Sequence, residues 1–249
     1  MNKKSVASDA VKPLQPYEVA LLSASFSELS HLAEAALSYL PSDRQQRLVG
    51  MRCDRLRKRA ILSSFLARYA LALHTAGSIS ALTISQDSKG KPRLAAADYG
   101  FSVSHSGDCL LVAVGRSVEI GVDVESLART VDYLAIARRY FHPDEYQWLG
   151  QRAGPALRDA FFDLWVKKEA AVKAQGQGIT YGFDRFKVAQ ASPATLELNH
   201  QQGGVMALTL IAVAGAMPDY RAALAVSPQL KHLDEYTVNA AHLAAFFQD

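Results

Sequence analysis

Apolar residues recur near every 3.6 positions in two long stretches of the chain. From Ser42 onward, Leu56, Leu62, Phe65, Leu66, Tyr69 and Leu73 predict one long helix, with Gly77 as its stop. Residues 157–174 form the stronger amphipathic pattern, with Phe161, Leu164, Trp165 and Val172 as its apolar stripe and Gly176 and Gly178 closing it. Two further helices are predicted at 130–141, broken by His142-Pro143, and at 237–247. Alternating or continuous apolar runs predict strands at 101–104, 183–189, 195–198, 205–213 and 220–226. Residues 109–114 and 118–125 read as a hairpin joined by Gly115-Arg-Ser117. Gly, Asp, Ser and Pro make residues 86–92 a turn, and the polar, proline-bearing residues 1–17 a loose lead-in or an edge segment.

Helices and short strands are mixed in both halves without a βαβ rhythm, which predicts an α+β fold. A length of 249 residues allows one large domain or two small ones. The division is expected near the 118–125 strand, giving an N-terminal lobe of 1–120 and a C-terminal lobe of 121–249. Neither a sequence repeat nor a low-complexity tract is present.

Composition narrows the function classes. With 49% hydrophobic and 20% charged residues the chain is an ordinary globular one, and a net charge of +3 favours acidic partners only weakly. Arg52, Arg55, Arg57, Lys58 and Arg59 form the densest basic run, but no aromatic interleaving accompanies it, so nucleic acid is not an expected partner. Cys53 and Cys109 are too few and isolated for a disulfide framework, and the histidines lack zinc-site spacing. No segment is long and apolar enough to span a membrane, and Asp9, Lys12 and two prolines interrupt any secretory signal, so the cytoplasm is the expected compartment.

The chemistry concentrates in Gly121-Val-Asp-Val-Glu125 and Trp165-Val-Lys-Lys-Glu-Ala-Ala-Val-Lys173. On a strand, Asp123 and Glu125 share one face while Ile120, Val122 and Val124 take the other. Trp165, Glu169 and Lys173 stack along one side of a helix. Two strand carboxylates and a facing helix carboxylate suit a hard divalent cation, and Lys173 suits a phosphate. Mg²⁺-assisted phosphoryl-type transfer is the implied chemistry. Each piece also has a plainer reading: Asp123 and Glu125 as a solvated sheet face continued by Glu119, and Glu169 as an i,i+4 partner of Lys173. His105, between Ser104 and Ser106-Gly107, suits a phosphate-binding turn or an exposed structural one. Lys89 and Lys91 also invite phosphate, although Pro92 excludes the GK[ST] phosphate loop.

In order along the chain, five segments resemble the 4′-phosphopantetheinyl transferases of the large two-lobed type. They are Gly90-Lys-Pro92, Val103-Ser-His-Ser106, Gly121-Val-Asp-Val-Glu125, Arg138-Arg-Tyr-Phe141 with Asp144-Glu145, and Phe162-Asp-Leu-Trp-Val-Lys-Lys-Glu-Ala-Ala-Val-Lys173 with the glycines after it. The resemblance covers roughly residues 45–190 and is most specific in the third and fifth segments.

The resemblance implies a pseudo-symmetric pair of similar α+β lobes with coenzyme A bound in the cleft between them. It implies transfer of the phosphopantetheine arm to a serine of an apo acyl, peptidyl or polyketide carrier protein by a monomeric enzyme. By the same resemblance, Asp123, Glu125 and Glu169 hold Mg²⁺, Glu169 is the base, and Lys173, Ser104 and His105 meet phosphates. Gly90, Lys91 and Pro92 lie along the adenosine end, and Arg59 takes the place of a 3′-phosphate ligand. Asp43 and Gln46 stand where the family has lysines, with Arg47 or Arg52 as substitutes, while Arg129, Arg138 and Arg139 assist carrier encounter. A metal-dependent phosphohydrolase and a non-catalytic coenzyme A- or carrier-binding module are the rival readings.

Overall fold

The computed structural model describes residues 4–5, 11–75, 77–86, 90–95, 98–176, 181–189, 193–199, 205–213 and 219–248. Lys89 and Gly178 lie outside them. In chain order the strands are β1 (Lys4–Ser5), β2 (Glu18–Ser25), β3 (Ile84–Gln86), β4 (Pro92–Leu94), β5 (Tyr99–Ser106) and β6 (Cys109–Arg116). There follow β7 (Ile120–Ser126), β8 (Ala194–Asn199), β9 (Val205–Ala212), β10 (Tyr220–Val226) and β11 (His232–Thr237). The helices are α1 (Phe26–Leu29), α2 (Ala33–Ser38), α3 (Ser42–Val49), α4 (Asp54–Thr75), α5 (Tyr133–Tyr140), α6 (Pro143–Leu149), α7 (Gly154–Gln175) and α8 (Ala240–Phe246).

Two sheets carry the fold, one of order β1-β11-β2-β6-β5 and one of order β7-β10-β9-β8. Each is covered on one side by a 22-residue helix, α4 over the first and α7 over the second. The remaining faces of the two sheets meet each other, so the layers run helix, sheet, sheet, helix. This is the α+β, two-lobed plan that the sequence predicts.

Side-chain alternation explains the layering. On β2 and β6, Ala20, Leu22, Leu110, Val112 and Val114 join the α4 core, with Ile61, Leu62, Phe65 and Tyr69 opposite them. Their alternates Val19, Leu21, Cys109, Leu111 and Ala113 form a middle core with Ile120, Val122, Val124 and Leu224 of the second sheet. Burial on both faces makes Val19–Leu22 a continuous apolar run without alternation, which is why sequence pattern passes over β2, the central strand. Free cysteine favours burial, an expectation that holds for Cys109 in the middle core and fails for Cys53, which is exposed between α3 and α4.

Four elements depart from expectation. The helix expected from Ser42 is two helices, interrupted at residues 50–53. The expected 109–125 hairpin does not form: β6 pairs with β2 and β5, whereas β7 crosses to the second sheet and pairs with β10. The expected 183–189 strand is a 3₁₀ turn, Phe183–Arg185, followed by irregular chain. Finally, β11 and α8 return to the first lobe, β11 running parallel to β2, a return that a plain division into 1–120 and 121–249 does not anticipate.

Candidate active site at the seam of the two lobes

The two sheets meet edge to edge along β5 and β7, and no backbone ladder joins these strands. Instead the alternate serines of β5 take the outward amides of β7. Ser102 Oγ accepts from the Val122 N–H at 3.1 Å, Ser104 Oγ from Val124 at 3.3 Å, and Ser106 Oγ from Ser126 at 3.1 Å. An edge strand otherwise presents such groups to solvent or to another chain. Two rungs reach further: Ser104 donates to Asp123 Oδ1 at 2.7 Å and Ser106 to Glu125 Oε2 at 2.7 Å. The serines thus aim both strand carboxylates.

Helix α7 lies directly over this strand because residue 121 has no side chain. A β-carbon on Gly121 would fall 2.1 Å from the Ala170 carbonyl oxygen and 2.4 Å from the Ala174 nitrogen. The close approach brings Lys173 to the seam, where its ammonium donates to Asp123 Oδ1 at 2.7 Å, Ser104 Oγ at 3.0 Å and the Val122 carbonyl at 3.1 Å. The i,i+4 pair of Glu169 with Lys173 is therefore not formed; Lys173 turns to Asp123.

Electrostatics at the seam favour protonated acids. Burial raises the Asp123 carboxyl more than Lys173 and Ser104 lower it, and burial likewise raises Glu125. Glu169 is pushed up to about 7, first by burial, then by the charges of Asp123 and Glu125, against the pull of Lys173. A carboxyl with that affinity accepts a proton near neutral pH.

The donor set can be tested against a divalent cation. Among the described residues no three His, Cys, Asp or Glu side chains are gathered closely enough to enclose an ion. Glu125 is occupied on both oxygens, by Ser106 and by Arg129 Nη1 at 3.1 Å. Yet Asp123 Oδ2 is buried without a hydrogen-bond partner, and Glu169 makes no hydrogen bond or ion pair among the described residues. Two open carboxylate oxygens that repel each other, in a poorly solvated seam, fit a cation.

Beside the seam a cavity of about 280 Å³ is lined by Gly90, Lys91, Pro92, Phe101, Ser102, Val103, Lys173 and Gly176. Residues far apart in sequence, 90–92 and 173–176, thus share one pocket between the lobes. Gly176 caps α7 in the left-handed conformation at φ 79°. Lys91 is buried, with Nζ donating to the Ala174 carbonyl at 2.5 Å and paired with Glu119 at 3.2 Å. Its amine ties the end of α7 to the pocket wall. Arg93 joins it on Glu119, so Glu119 is an ion-pair hub, not a solvated end of the acidic face. Charge sign alone in the sequence conceals that pairing.

Arg59 and His105 converge on Phe26. The Arg59 guanidinium stands 4.3 Å over the ring and the His105 ring meets it edge-on at 5.7 Å. His105 is exposed, but desolvation by neighbouring chain and the cations of Arg59 and Lys173 lower its proton affinity. Asp108 holds the turn that carries Phe26, accepting from the Ser25 and Ser27 hydroxyls at 2.5 and 2.7 Å. Nothing in the spacing of Ser25, Phe26 and Asp108 signals this support. Of the two substitutes for the family's lysines, Arg47 pairs with Asp43, whereas Arg52 has no ion-pair partner among the described residues.

Two motif residues belong to the core. Trp165 stacks on Phe161 at 5.8 Å and meets Phe183 edge-on at 5.5 Å. Lys168 is fully buried, paired with Glu145 at 2.8 Å and donating to the Phe183 and Phe186 carbonyls, both at 2.7 Å. Glu145 also accepts from Val188 N–H and closes the capping box of α6. The pair anchors residues 183–188 beside α7.

Lys173 thus joins the carboxylates of the seam to the cavity, since it pairs with Asp123 and lines the cavity wall. Residues 119–225 match the family model described as the 4′-phosphopantetheinyl transferase superfamily, and residues 27–117 the one described as 4′-phosphopantetheinyl transferase, N-terminal. The chain belongs to the 4′-phosphopantetheinyl transferase superfamily. It is 34% identical to 4′-phosphopantetheinyl transferase psf-1 of Bacillus pumilus over 144 residues, 57% of this chain and 60% of that protein. It is 29% identical to 4′-phosphopantetheinyl transferase Sfp of Bacillus subtilis (strain 168), over 65% of this chain and 75% of that one. A solved Thermotoga maritima holo-[acyl-carrier-protein] synthase aligns with a TM-score of 0.35 at 20% identity, over 44% of this chain and 62% of that chain.

Proposed function

We propose that the protein transfers the 4′-phosphopantetheine arm of coenzyme A to a serine hydroxyl of an apo acyl, peptidyl or polyketide carrier protein. In this reaction the serine Oγ attacks the phosphorus that bears the pantetheine. A new O–P bond forms, the pyrophosphate P–O bond breaks, and 3′,5′-ADP leaves with the bridging oxygen. The observation that carries this reading is Lys173, which lines the cavity and pairs with Asp123 at the seam, where Glu169 one helical turn away is pushed up to about 7.

Glu169 takes the serine proton, directly or through one water, and general-base help of this kind is worth about 10²–10⁴-fold. Lys173 neutralises charge growing on the pyrophosphate. His105 faces phosphates, Ser104 serves them by holding Lys173 and Asp123 in place, Arg59 takes the 3′-phosphate, and Gly90, Lys91 and Pro92 wall the adenosine end. Lys91 acts there through its backbone, because its amine is committed to Ala174 and Glu119. Asp123 and Glu169, joined by Glu125 once it releases Ser106 or Arg129, would hold Mg²⁺, which supplies charge neutralisation for the leaving diphosphate. The remaining parts of the reading are a cytoplasmic monomer without nucleic-acid or membrane partners, and lobes dividing at residue 120 with β11 and α8 added to the first.

The test is to incubate the protein with coenzyme A, Mg²⁺ and a panel of apo carriers and follow each carrier's intact mass. Gain of one arm supports the reading. Release of 3′,5′-ADP with water alone would favour a phosphohydrolase instead.

A further inference from the structure

We propose that Ser102 is a ligand-binding residue of the seam cavity, donating its hydroxyl proton to an acceptor on the nucleotide end of bound coenzyme A. The proposal rests on the coenzyme A reading above. It follows from comparing the three serine rungs of β5.

All three hydroxyl oxygens accept a β7 amide in the same way, from Val122, Val124 and Ser126. Each therefore has one proton left to donate. Ser104 gives its proton to Asp123 and Ser106 gives its proton to Glu125. Ser102 gives its proton to no acceptor among the described residues. It is also the rung that lines the cavity, at 7% exposure, between the walls formed by Pro92, Phe101 and Val103.

The residue facing Ser102 across the seam explains the difference. Asp123 and Glu125 supply carboxylates to the second and third rungs, whereas the corresponding position on β7 is Gly121. Gly121 has no side chain because α7 occupies that space. The same close packing that brings Lys173 to the seam thus leaves the first hydroxyl unclaimed. A buried donor without a partner is costly, so a bound molecule that offers an acceptor there gains by satisfying it. The amide of Val122 fixes the oxygen, so the proton has few directions left, and one of them is the cavity. The walls are apolar and the cation is Lys173, which suits a flat heteroaromatic group or ribose with phosphate beyond it.

The experiment is calorimetric titration of the full chain with coenzyme A and, separately, with 3′,5′-ADP. Wild type, Ser102→Ala and Ser102→Thr are compared, with thermal melts of each. The expected result is binding about 2- to 12-fold weaker in Ser102→Ala for both ligands, recovered in Ser102→Thr. Unchanged affinity in Ser102→Ala overturns the assignment of Ser102 and leaves the coenzyme A reading standing. Equal losses in both variants with lowered melting also overturn it, because the rung then acts only as a strut. If wild type binds neither ligand, the coenzyme A reading falls and this inference with it.

Discussion

Gly121 and Ala170 touch through their backbones: a β-carbon on Gly121 would sit 2.1 Å from the Ala170 carbonyl oxygen. The contact sets the distance between β7, which carries Asp123 and Glu125, and α7, which carries Glu169 and Lys173. Because the obstacle is helix backbone, no rotamer change relieves it. Gly121→Ala is expected to lower stability by about 2–4 kcal/mol, at or beyond the upper end of ordinary overpacking costs. Thermal and urea unfolding measure it, and coenzyme A affinity should fall with it as α7 lifts.

Glu169 carries a pH signature. Its folded-state carboxyl lies at about 7, against 4.5 for a freely solvated glutamate. Between those values the unfolded chain has lost the proton and the folded chain keeps it, so this group's contribution to stability declines as pH rises from 4.5 through 7. Below that window the contribution is intact; above it the loss is complete. In metal-free protein Glu169→Gln should therefore raise stability at pH 8 by about 2 kcal/mol and leave it unchanged at pH 4. Chemical denaturation at the two pH values, with a chelator present, reads the difference.

Lys168 and Glu145 form a buried pair whose separate halves are worth more than the whole. Lys168→Met leaves Glu145 charged and buried, and should cost about 3–5 kcal/mol. Adding Glu145→Gln should recover part of that loss. Recovery stays incomplete, because Glu145 also holds the amides of Val188 and His142. A double-mutant cycle by denaturant unfolding gives the coupling.

Phe26 holds Arg59 and His105 together, one over its face and one at its edge. Phe26→Leu keeps much of the burial but removes the ring face, worth about 0.5–2 kcal/mol to a cation. The expected outcome is a KM for coenzyme A raised about 2- to 30-fold with kcat nearly unchanged. A loss confined to kcat would remove Phe26 from that role.

Much of the site was legible because its residues break the rules of their elements. An aspartate and a glycine inside a strand, and a glutamate beside an apolar helix stripe, each ask for a reason. Of the ordered motifs, Gly90-Lys-Pro92 and Lys173 line one cavity in the folded chain. What stayed hidden is long-range pairing. Whether residues 118–125 turn back on β6 or cross to a second sheet depends on partners about 100 residues away, Tyr220–Val226. Ser104 and Ser106 read as hydroxyls of a phosphate-binding turn and Ser102 as plain strand polarity, and their shared role as rungs emerges only when β7 lies beside them. The buried state of Lys168 was hidden for the same reason, since Glu145 and the Phe183 carbonyl meet it only in the folded chain.

The central claim is that the carboxyl of Glu169 performs transfer at the seam. Single-turnover transfer to an apo carrier, with coenzyme A binding measured in parallel, tests it most directly in wild type and Glu169→Gln. The account predicts a rate at least about 100-fold slower in the variant, with an intact fold and coenzyme A affinity within a few-fold. A rate within about threefold of wild type would contradict it, and the proton would have to leave by another group.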